Sequence, residues 1–292
     1  MKTILGINHQ FLYPEAIVDA KAHTESLKEL SSFENIDALD CWLWRGESAK
    51  EETAILKSSG KIINYNIGDR FGEDVCRPAS ASHEERDYAY SKIMREIEYA
   101  LALDSKKIVF ATGPDFPNDR EGAKERFFEL VMKLLSELPG DVVLALEPTD
   151  RDIDKHFLFG PLDETVSFIK KVRDAGGTNF GLLLDMCHVP LMHETLDSAL
   201  DKVDDTLVHI HLGNCMIKDK NDTLYGDKHP AWCYTGGEYG EEEAVYFLRK
   251  LKAMGYLDMP GNTITVEMRK MDGLGARESL DEFVRIYNKG MN

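Results

Sequence analysis

The sequence predicts a single α/β domain, a (β/α)8 TIM barrel, and three observations support that fold. Short β-rich runs alternate with amphipathic helical patterns along the whole chain of 292 residues. The runs give eight strands, and a barrel of eight strands uses roughly 250 residues as one domain. No linker rich in proline, glycine or serine and no change in composition marks a second domain. We therefore expect residues 1–292 to form one barrel.

The predicted strands are apolar runs bounded by turn residues, and helical patterns separate them. The strands are Thr3–Asn8, Ile36–Trp42, Lys61–Ile67, Lys107–Thr112, Val142–Glu147, Phe180–Asp185, Thr206–His211 and Thr263–Met268. The last helix has the clearest pattern, because Leu280, Phe283, Val284 and Tyr287 recur at helical spacing. Glu47 to Ser59 has the thinnest apolar face among the predicted helices.

Composition excludes several classes of function. The net charge of −17 opposes a surface that wraps DNA or an anionic membrane, since phosphate binding needs lysine and arginine. Five cysteines without a Cys-x-x-Cys pair indicate neither a disulfide framework nor a thiolate zinc cluster. The sequence has no Walker or Gly-x-Gly-x-x-Gly loop, no signal-peptide pattern and no apolar stretch of membrane-spanning length. We expect a cytoplasmic protein with no nucleotide cofactor, and a homo-oligomer is compatible with these features.

Four predicted strands end in residues that bind metals. Apolar runs end at Glu147, Asp185, His211 and Glu267, in the fifth to eighth strands. The carboxyl ends of barrel strands meet at one mouth, where the chemistry of this fold is located. A buried carboxylate without a partner costs several kcal/mol, so it is paired, protonated or bound to a metal. The alternative is four separate salt bridges with arginine or lysine.

These four residues predict a site for one divalent metal ion. Three carboxylates and one imidazole suit Mn, Mg, Co or Zn and leave positions open for substrate oxygens. His209 lies two residues before His211 and therefore on the same face of the strand. We interpret His209 as a hydrogen-bonded core histidine or as a support for the ligand, because it would lie one layer deeper.

The ordered set Glu147-Pro, Asp185-x-x-His188, His211 and Glu267 resembles the metal site of the xylose-isomerase-like barrels. That superfamily includes sugar phosphate isomerases/epimerases and ketose 3-epimerases. The resemblance implies that one metal holds two adjacent substrate oxygens, while Glu147 and Glu267 move a proton at the carbon next to the carbonyl. It also implies that His188 contacts a substrate oxygen or the metal. The expected substrate is a keto-sugar or polyol derivative.

A long loop follows the seventh predicted strand, from Leu212 to Gly240. Typical strand-to-helix loops have about 2–6 residues, so we expect a lid over the active site or, alternatively, an interface between subunits. As a lid it would bring His229 or Trp232 to the substrate. Arg269 and Arg151 are the candidates for an arginine that binds substrate hydroxyls, and His9 is a candidate pocket residue.

The sequence is compatible with three other functions. Lyases and dehydratases of the same superfamily begin with the same proton abstraction. The apurinic endonucleases are zinc phosphodiesterases with a similar barrel, and Asp227-Lys228-His229 fits their Asp-x-His. However, two histidines of that family are missing, because Asn64-Tyr65-Asn66 and Ala111-Thr112-Gly113 stand in their places. The third alternative is an accessory barrel subunit without catalysis.

Overall fold

A computed structural model describes residues 4–68 and 76–292 of the chain. Its eight parallel strands follow one another in the order β1 to β8 in a closed barrel, so the predicted fold class is confirmed. The strands are β1 Ile4–Asn8, β2 Ala38–Cys41, β3 Ile62–Asn66, β4 Lys107–Phe110, β5 Val143–Leu146, β6 Phe180–Asp185, β7 Leu207–Leu212 and β8 Thr263–Val266.

Helices follow the strands, and most have a buried apolar stripe. They are α1 His9–Leu12, α2 Ala20–Ser31, α3 Glu47–Ser58, α4 His83–Ala102, α5 Arg120–Glu137, α6 Leu162–Asp174, α7 His188–Leu191, α8 Leu196–Val203, α9 Glu241–Ala253 and α10 Ala276–Met291. Asp19 and Ser82 cap α2 and α4 by accepting hydrogen bonds from backbone N–H groups of the first turn. None of the described helices is both long enough and apolar enough to cross a membrane.

The predicted strand positions are right, but several predicted ends are too long. β6 has the predicted bounds, whereas β5 and β8 end one residue before Glu147 and Glu267. The N–H groups of both glutamates still donate to the neighbouring strands, to the carbonyl oxygens of Phe110 and Leu212. The predicted first residue of β1, Thr3, lies outside the described residues.

The chain divides by its contacts into two compact units, and the first comprises residues 1–63, 185–196 and 209–292. In this unit β1 pairs with β2 and with β8. Gly6 in β1 lies opposite Ala38 and Thr265, and a Cβ atom on Gly6 would come within 2.7 Å of the Thr265 Oγ1. Glycine at this position therefore makes room for the threonine side chain.

The second unit comprises residues 64–184 and 197–208. β4 pairs with β3 and β5, and β5 pairs with β6. Phe110 of β4 stacks on Phe127 of α5 with ring centroids 5.8 Å apart, and Phe168 of α6 packs against Phe180 of β6. These rings are buried, so the unit is stabilised mainly by apolar packing between its strands and helices.

Candidate metal centre

Three of the predicted metal ligands lie together in the first unit. Asp185 is the last residue of β6, His211 lies in β7, and Glu267 directly follows β8. Each offers a ligand atom, and these atoms lie within 4.8 Å of one another. All three side chains are buried, with at most 3% of any residue exposed. The structure thus places two carboxylates and one imidazole around a common point.

The carboxylate of Asp185 is only half satisfied by hydrogen bonds. Its Oδ1 accepts the N–H of Cys187 at 2.7 Å, which fixes the orientation of the carboxylate. Its Oδ2 is buried and has no hydrogen-bond partner among the described residues. A buried charged acceptor without a partner costs at least about 1–3 kcal/mol. A cation is the partner that fits such an oxygen, so the residues present suit a metal ion.

Glu267 is held from both sides. The Asn8 amide donates to its Oε1 at 2.6 Å, and the Nδ1 of His211 lies 2.6 Å from its Oε2. Burial raises the pKa of Glu267 to about 8, although the neighbouring imidazoles of His211 and His229 oppose the shift. Burial disfavours the charged carboxylate, and a positive charge beside it offsets that penalty. A divalent ion would supply that charge.

Asp40 of β2 is a part of the site that the sequence analysis missed. It is fully buried, and its carboxylate contacts His209, His211 and Thr265. Burial raises the pKa of Asp40, but the charges of the two imidazoles outweigh it and leave the pKa well below its ordinary value. The available signal was a lone acid inside a strand whose other residues are Ala38, Leu39 and Cys41.

A second cluster lies beside the first and contains His188, Asp227 and His229. The Oδ1 of Asp227 lies 2.6 Å from the Nε2 of His229 and 3.2 Å from the Nε2 of His188. The Nδ1 of His229 donates to the backbone oxygen of Glu267 at 2.7 Å. Burial lowers the pKa of His229, but Asp227 and Glu267 reverse this and raise it to about 9.

His229 is thus the residue of the long loop that lies beside the ligand set. Its Nε2 is 3.8 Å from the Oδ2 of Asp185, and its ring packs on Phe11 with centroids 4.0 Å apart. Its backbone has a φ of 50°, which is unusual for a residue other than glycine. Strained backbone of this kind is found where the surrounding structure fixes a functional side chain.

The other predicted substrate residues make contacts within the protein. Trp232 packs edge-on against Phe283 of α10, and its Nε1 has no partner among the described residues. Arg269 donates from its Nε to the backbone oxygen of Lys228. His9 is fully buried, and its Nε2 lies 2.7 Å from the Ser26 hydroxyl of α2. The substrate-binding roles of these residues stay predictions.

Glu147 and Arg151 belong to the second unit. Glu147 follows β5 as predicted, and only 7% of it is exposed. Arg151 forms a two-pronged ion pair with Glu164, at 3.0 and 2.9 Å, and also donates to the backbone oxygen of Leu158. Contacts within the protein therefore occupy most of its guanidinium group. The role of Glu147 as a ligand and base stays a prediction.

Comparison with known proteins identifies the family to which this chain belongs. The family model described as "Xylose isomerase-like TIM barrel" matches residues 39–286. No curated protein matches the sequence. Similar solved structures include an AP endonuclease, family 2, from Brucella melitensis, which is 18% identical with a TM-score of 0.72; the match covers 97% of this chain and 99% of that one.

Two epimerase structures share the fold as well. D-psicose 3-epimerase from Clostridium cellulolyticum H10, solved with D-tagatose, is 17% identical with a TM-score of 0.66, covering 99% and 97% of the two chains. The 3-keto-D-glucoside 4-epimerase from E. coli is 16% identical with a TM-score of 0.69, covering 98% and 100%. At these identities the structures show the fold alone. Because the family model spans most of the sequence, the chain belongs to the xylose isomerase-like TIM barrel family.

Proposed function

We propose that this protein is a divalent-metal-dependent sugar isomerase or epimerase that transfers a proton at the carbon next to a carbonyl. The observation that carries the proposal is the buried set of Asp185, His211 and Glu267, in which one carboxylate oxygen lacks a partner. The fold it shares with sugar epimerases of other species agrees with this chemistry.

The proposed ligands are Asp185, His211 and Glu267, with Glu147 as the fourth. Glu147 qualifies because it is a buried carboxylate directly after β5, the same position that Glu267 has after β8. Oxygen and imidazole ligands suit Mn, Mg, Co or Zn. When bound, such an ion stabilises negative charge on the oxygen of a carbonyl group.

The protein's own residues perform the proton transfer in this proposal. Glu267 accepts the proton from the substrate carbon, and the amide of Asn8 keeps its carboxylate in place. Glu147 acts on the opposite face of the carbon, so the proton can leave one side and return to the other. His188 holds a substrate oxygen. Its ring lies beside the ligand set, because its Nε2 is within reach of Asp185 and Asp227. Burial of these groups excludes bulk water from the reacting carbon.

The test is exchange of substrate hydrogen with solvent deuterium. Protein loaded with Mn or Mg is incubated in D2O with a panel of ketoses and inososes, and incorporation at the carbon next to the carbonyl is followed by NMR. The proposal expects incorporation for at least one substrate and none without metal. Metal-loaded protein without exchange on any member of the panel contradicts it. Loss of a hydroxyl from the substrate after exchange would identify a lyase.

A zinc phosphodiesterase is the second candidate, because one observation favours it. His188, Asp227 and His229 present two nitrogens and an oxygen next to the first ligand set, a combination that suits zinc. Metal content separates the two candidates. One ion per chain supports the isomerase, whereas two or more zinc ions together with cleavage of DNA at abasic sites support the phosphodiesterase. A metal-free protein without either activity supports the accessory subunit.

A further inference from the structure

Asp40 holds two imidazoles at once. Its Oδ2 lies 2.7 Å from the Nε2 of His209 and 2.9 Å from the Nε2 of His211. All three residues are fully buried. An ionised carboxylate can only accept hydrogen bonds, so each of these nitrogens must carry a hydrogen. The Asp40 carboxylate therefore determines which ring nitrogen of each histidine is protonated.

The remaining ring nitrogens are thereby assigned. The Nδ1 of His209 lies 3.0 Å from the Thr263 hydroxyl, which can donate to it. The Nδ1 of His211 points to Glu267 at 2.6 Å and is the nitrogen that faces the ligand set. Nδ1 of His211 is thus the ring nitrogen on the side of the proposed ligands, while Nε2 is bound to Asp40 on the other side.

Other contacts fix Asp40 itself. The Thr265 hydroxyl donates to its Oδ1 at 2.7 Å, so both carboxylate oxygens have donors. Gly6 leaves the space that the Thr265 side chain occupies, because a Cβ there would collide with that hydroxyl. Asp40 also lies opposite Asn8 in the register of β1 and β2, and Asn8 holds Glu267. Residues of β1, β2, β7 and β8 form one connected hydrogen-bond network.

We propose that Asp40 is a positioning residue for the metal centre, which holds Nε2 of His211 and thereby directs Nδ1 of the ring towards Glu267 and the other proposed ligands. This inference rests on the proposed function, since it presupposes that His211 is a ligand. A carboxylate that accepts the far N–H of a ligating histidine fixes the ring and increases its basicity. His209 shares the carboxylate as a second donor and helps to hold it in place, without contact to the ion.

Matched variants test the proposal. Asp40→Asn keeps the size of the side chain but removes the charge, and Asp40→Ala removes the acceptors as well. Loss of such a supporting carboxylate weakens metal binding by about 10–100-fold. We expect the metal affinity to fall by about 10-fold in D40N and by about 100-fold in D40A. Chelator competition with Co or Mn measures this affinity. The visible absorption bands of bound Co should also change.

The control is Glu52→Gln. Glu52 is a carboxylate that is equally buried and contacts a histidine, His23, at 2.9 Å, but it lies outside the proposed ligand set. E52Q should bind the metal as wild type does, even if its thermal stability falls. D40N and D40A that bind the metal as tightly as E52Q, with unchanged Co bands, would overturn the positioning role.

A measurement on the wild-type protein tests the proposal without depending on whether a variant folds. Two-bond proton–nitrogen NMR of metal-free protein labelled with 15N-histidine reports which ring nitrogens carry hydrogen. We expect hydrogen on Nε2 of both His209 and His211. A bare Nε2 on either residue overturns the inference regardless of any metal. Wild-type protein that binds no metal would instead refute the proposed function, while the NMR result would still decide the orientation set by Asp40.

Discussion

The two units of the barrel contain different buried clusters: the second unit, called the apolar unit below, has an apolar cluster, and the first, called the polar unit below, has a hydrogen-bonded cluster of charged side chains. The unit with β4 and β5 buries Val109, Ala145 and Leu183 in one apolar cluster and adds stacked phenylalanines. The unit with β1, β2 and β8 buries Asp40, His209 and His211 together with Thr263 and Thr265. Apolar burial stabilises a fold by about 25 cal/mol per Å². Buried charges cost free energy unless they are fully paired.

The polar unit contains three of the four proposed metal ligands, Asp185, His211 and Glu267. Asp185 Oδ2 is the only carboxylate oxygen among the buried side-chain atoms of the described residues that have no hydrogen-bond partner. Such an atom lowers stability and is expected where a ligand completes the structure. Changes among these ligands of the polar unit, and at the proposed fourth ligand Glu147, should therefore affect metal binding and turnover, whereas changes among the stacked phenylalanines of the apolar unit should affect stability.

The largest expected effect is on proton transfer. Glu267→Gln keeps the size of the side chain and one coordinating oxygen but cannot accept a proton. General base catalysis contributes about 10²–10⁴ in rate, so E267Q should lose deuterium exchange by that factor on the epimer whose hydrogen Glu267 removes. Glu52→Gln, equally buried, should retain it. Similar exchange rates in E267Q and wild type would remove Glu267 from the reaction.

Glu147→Gln tests the second proposed base in the same way. If Glu147 and Glu267 act on opposite faces of the carbon, each variant should still exchange the hydrogen of one epimer and fail with the other. The measurement is exchange on both epimers separately, followed by NMR. Loss of exchange on the same epimer in both variants would argue against bases on opposite faces.

The apolar unit should respond with a loss of stability. Phe127 is fully buried and contacts Phe110, Phe159 and Phe168. Phe127→Ala should lower the free energy of unfolding by about 3–5 kcal/mol, because it leaves a cavity. Denaturant unfolding measures this, with the less buried Phe128→Ala as a milder control. Folded F127A should keep its metal affinity, and a parallel loss of metal binding would contradict the division of roles.

His188 should affect substrate binding more than chemistry. Its Nε2 lies 3.2 Å from Asp227, which holds the ring in place, and in the proposed function this ring contacts a substrate oxygen. Removing a hydrogen bond to a charged or polarised group costs about 1.5–3 kcal/mol, which corresponds to at least about tenfold in KM. We expect His188→Ala to raise KM and to keep exchange at saturating substrate. The exposed His83→Ala is the control, and an unchanged KM in H188A would refute the role.

The smallest effect concerns an ion pair of the apolar unit. Glu164 pairs with Arg151 and Lys124, and its pKa is lowered from 4.5 to about 2, mainly by the hydrogen bond from Arg151. The folded pKa is below the unfolded one, so the stabilisation is present above pH 4.5 and is lost as the pH falls towards 2. Glu164→Gln should lower Tm at pH 7 and do so less at pH 2.5. At this partial exposure we expect about 1 kcal/mol or less. An equal difference at both pH values would contradict the assignment.

The barrel could be predicted from sequence because strand and helix periods repeat along the chain. The bounds of β6 were predicted correctly, since the apolar run from Phe180 to Leu184 ends at the charged Asp185. Strand ends such as Glu147 were harder, because hydrogen bonds to the neighbouring strand extend one residue past the regular ladder. Helix α7, which begins at His188, has a single turn and no periodicity to detect.

The centre could be predicted only in part. Asp185, His211 and Glu267 follow apolar runs, so each gave a local signal, and the structure brings them together. Asp40 gave almost none, because its role depends on His209 and His211, which are far away in sequence. The packing of Trp232 against Phe283 could not be predicted, because a loop aromatic gives no sign in the sequence of the ring that it contacts, and its substrate-binding role stays a prediction.

The central claim is that Asp185, His211 and Glu267 share one divalent ion. Anomalous X-ray diffraction from crystals soaked in Mn tests it most directly, because the peak locates the ion without any assumption about the substrate. The claim predicts a single peak at roughly 2.0–2.6 Å from a carboxylate oxygen of Asp185 and Glu267 and from Nδ1 of His211. Absence of a peak there, or a peak held only by His188, Asp227 and His229, would contradict it.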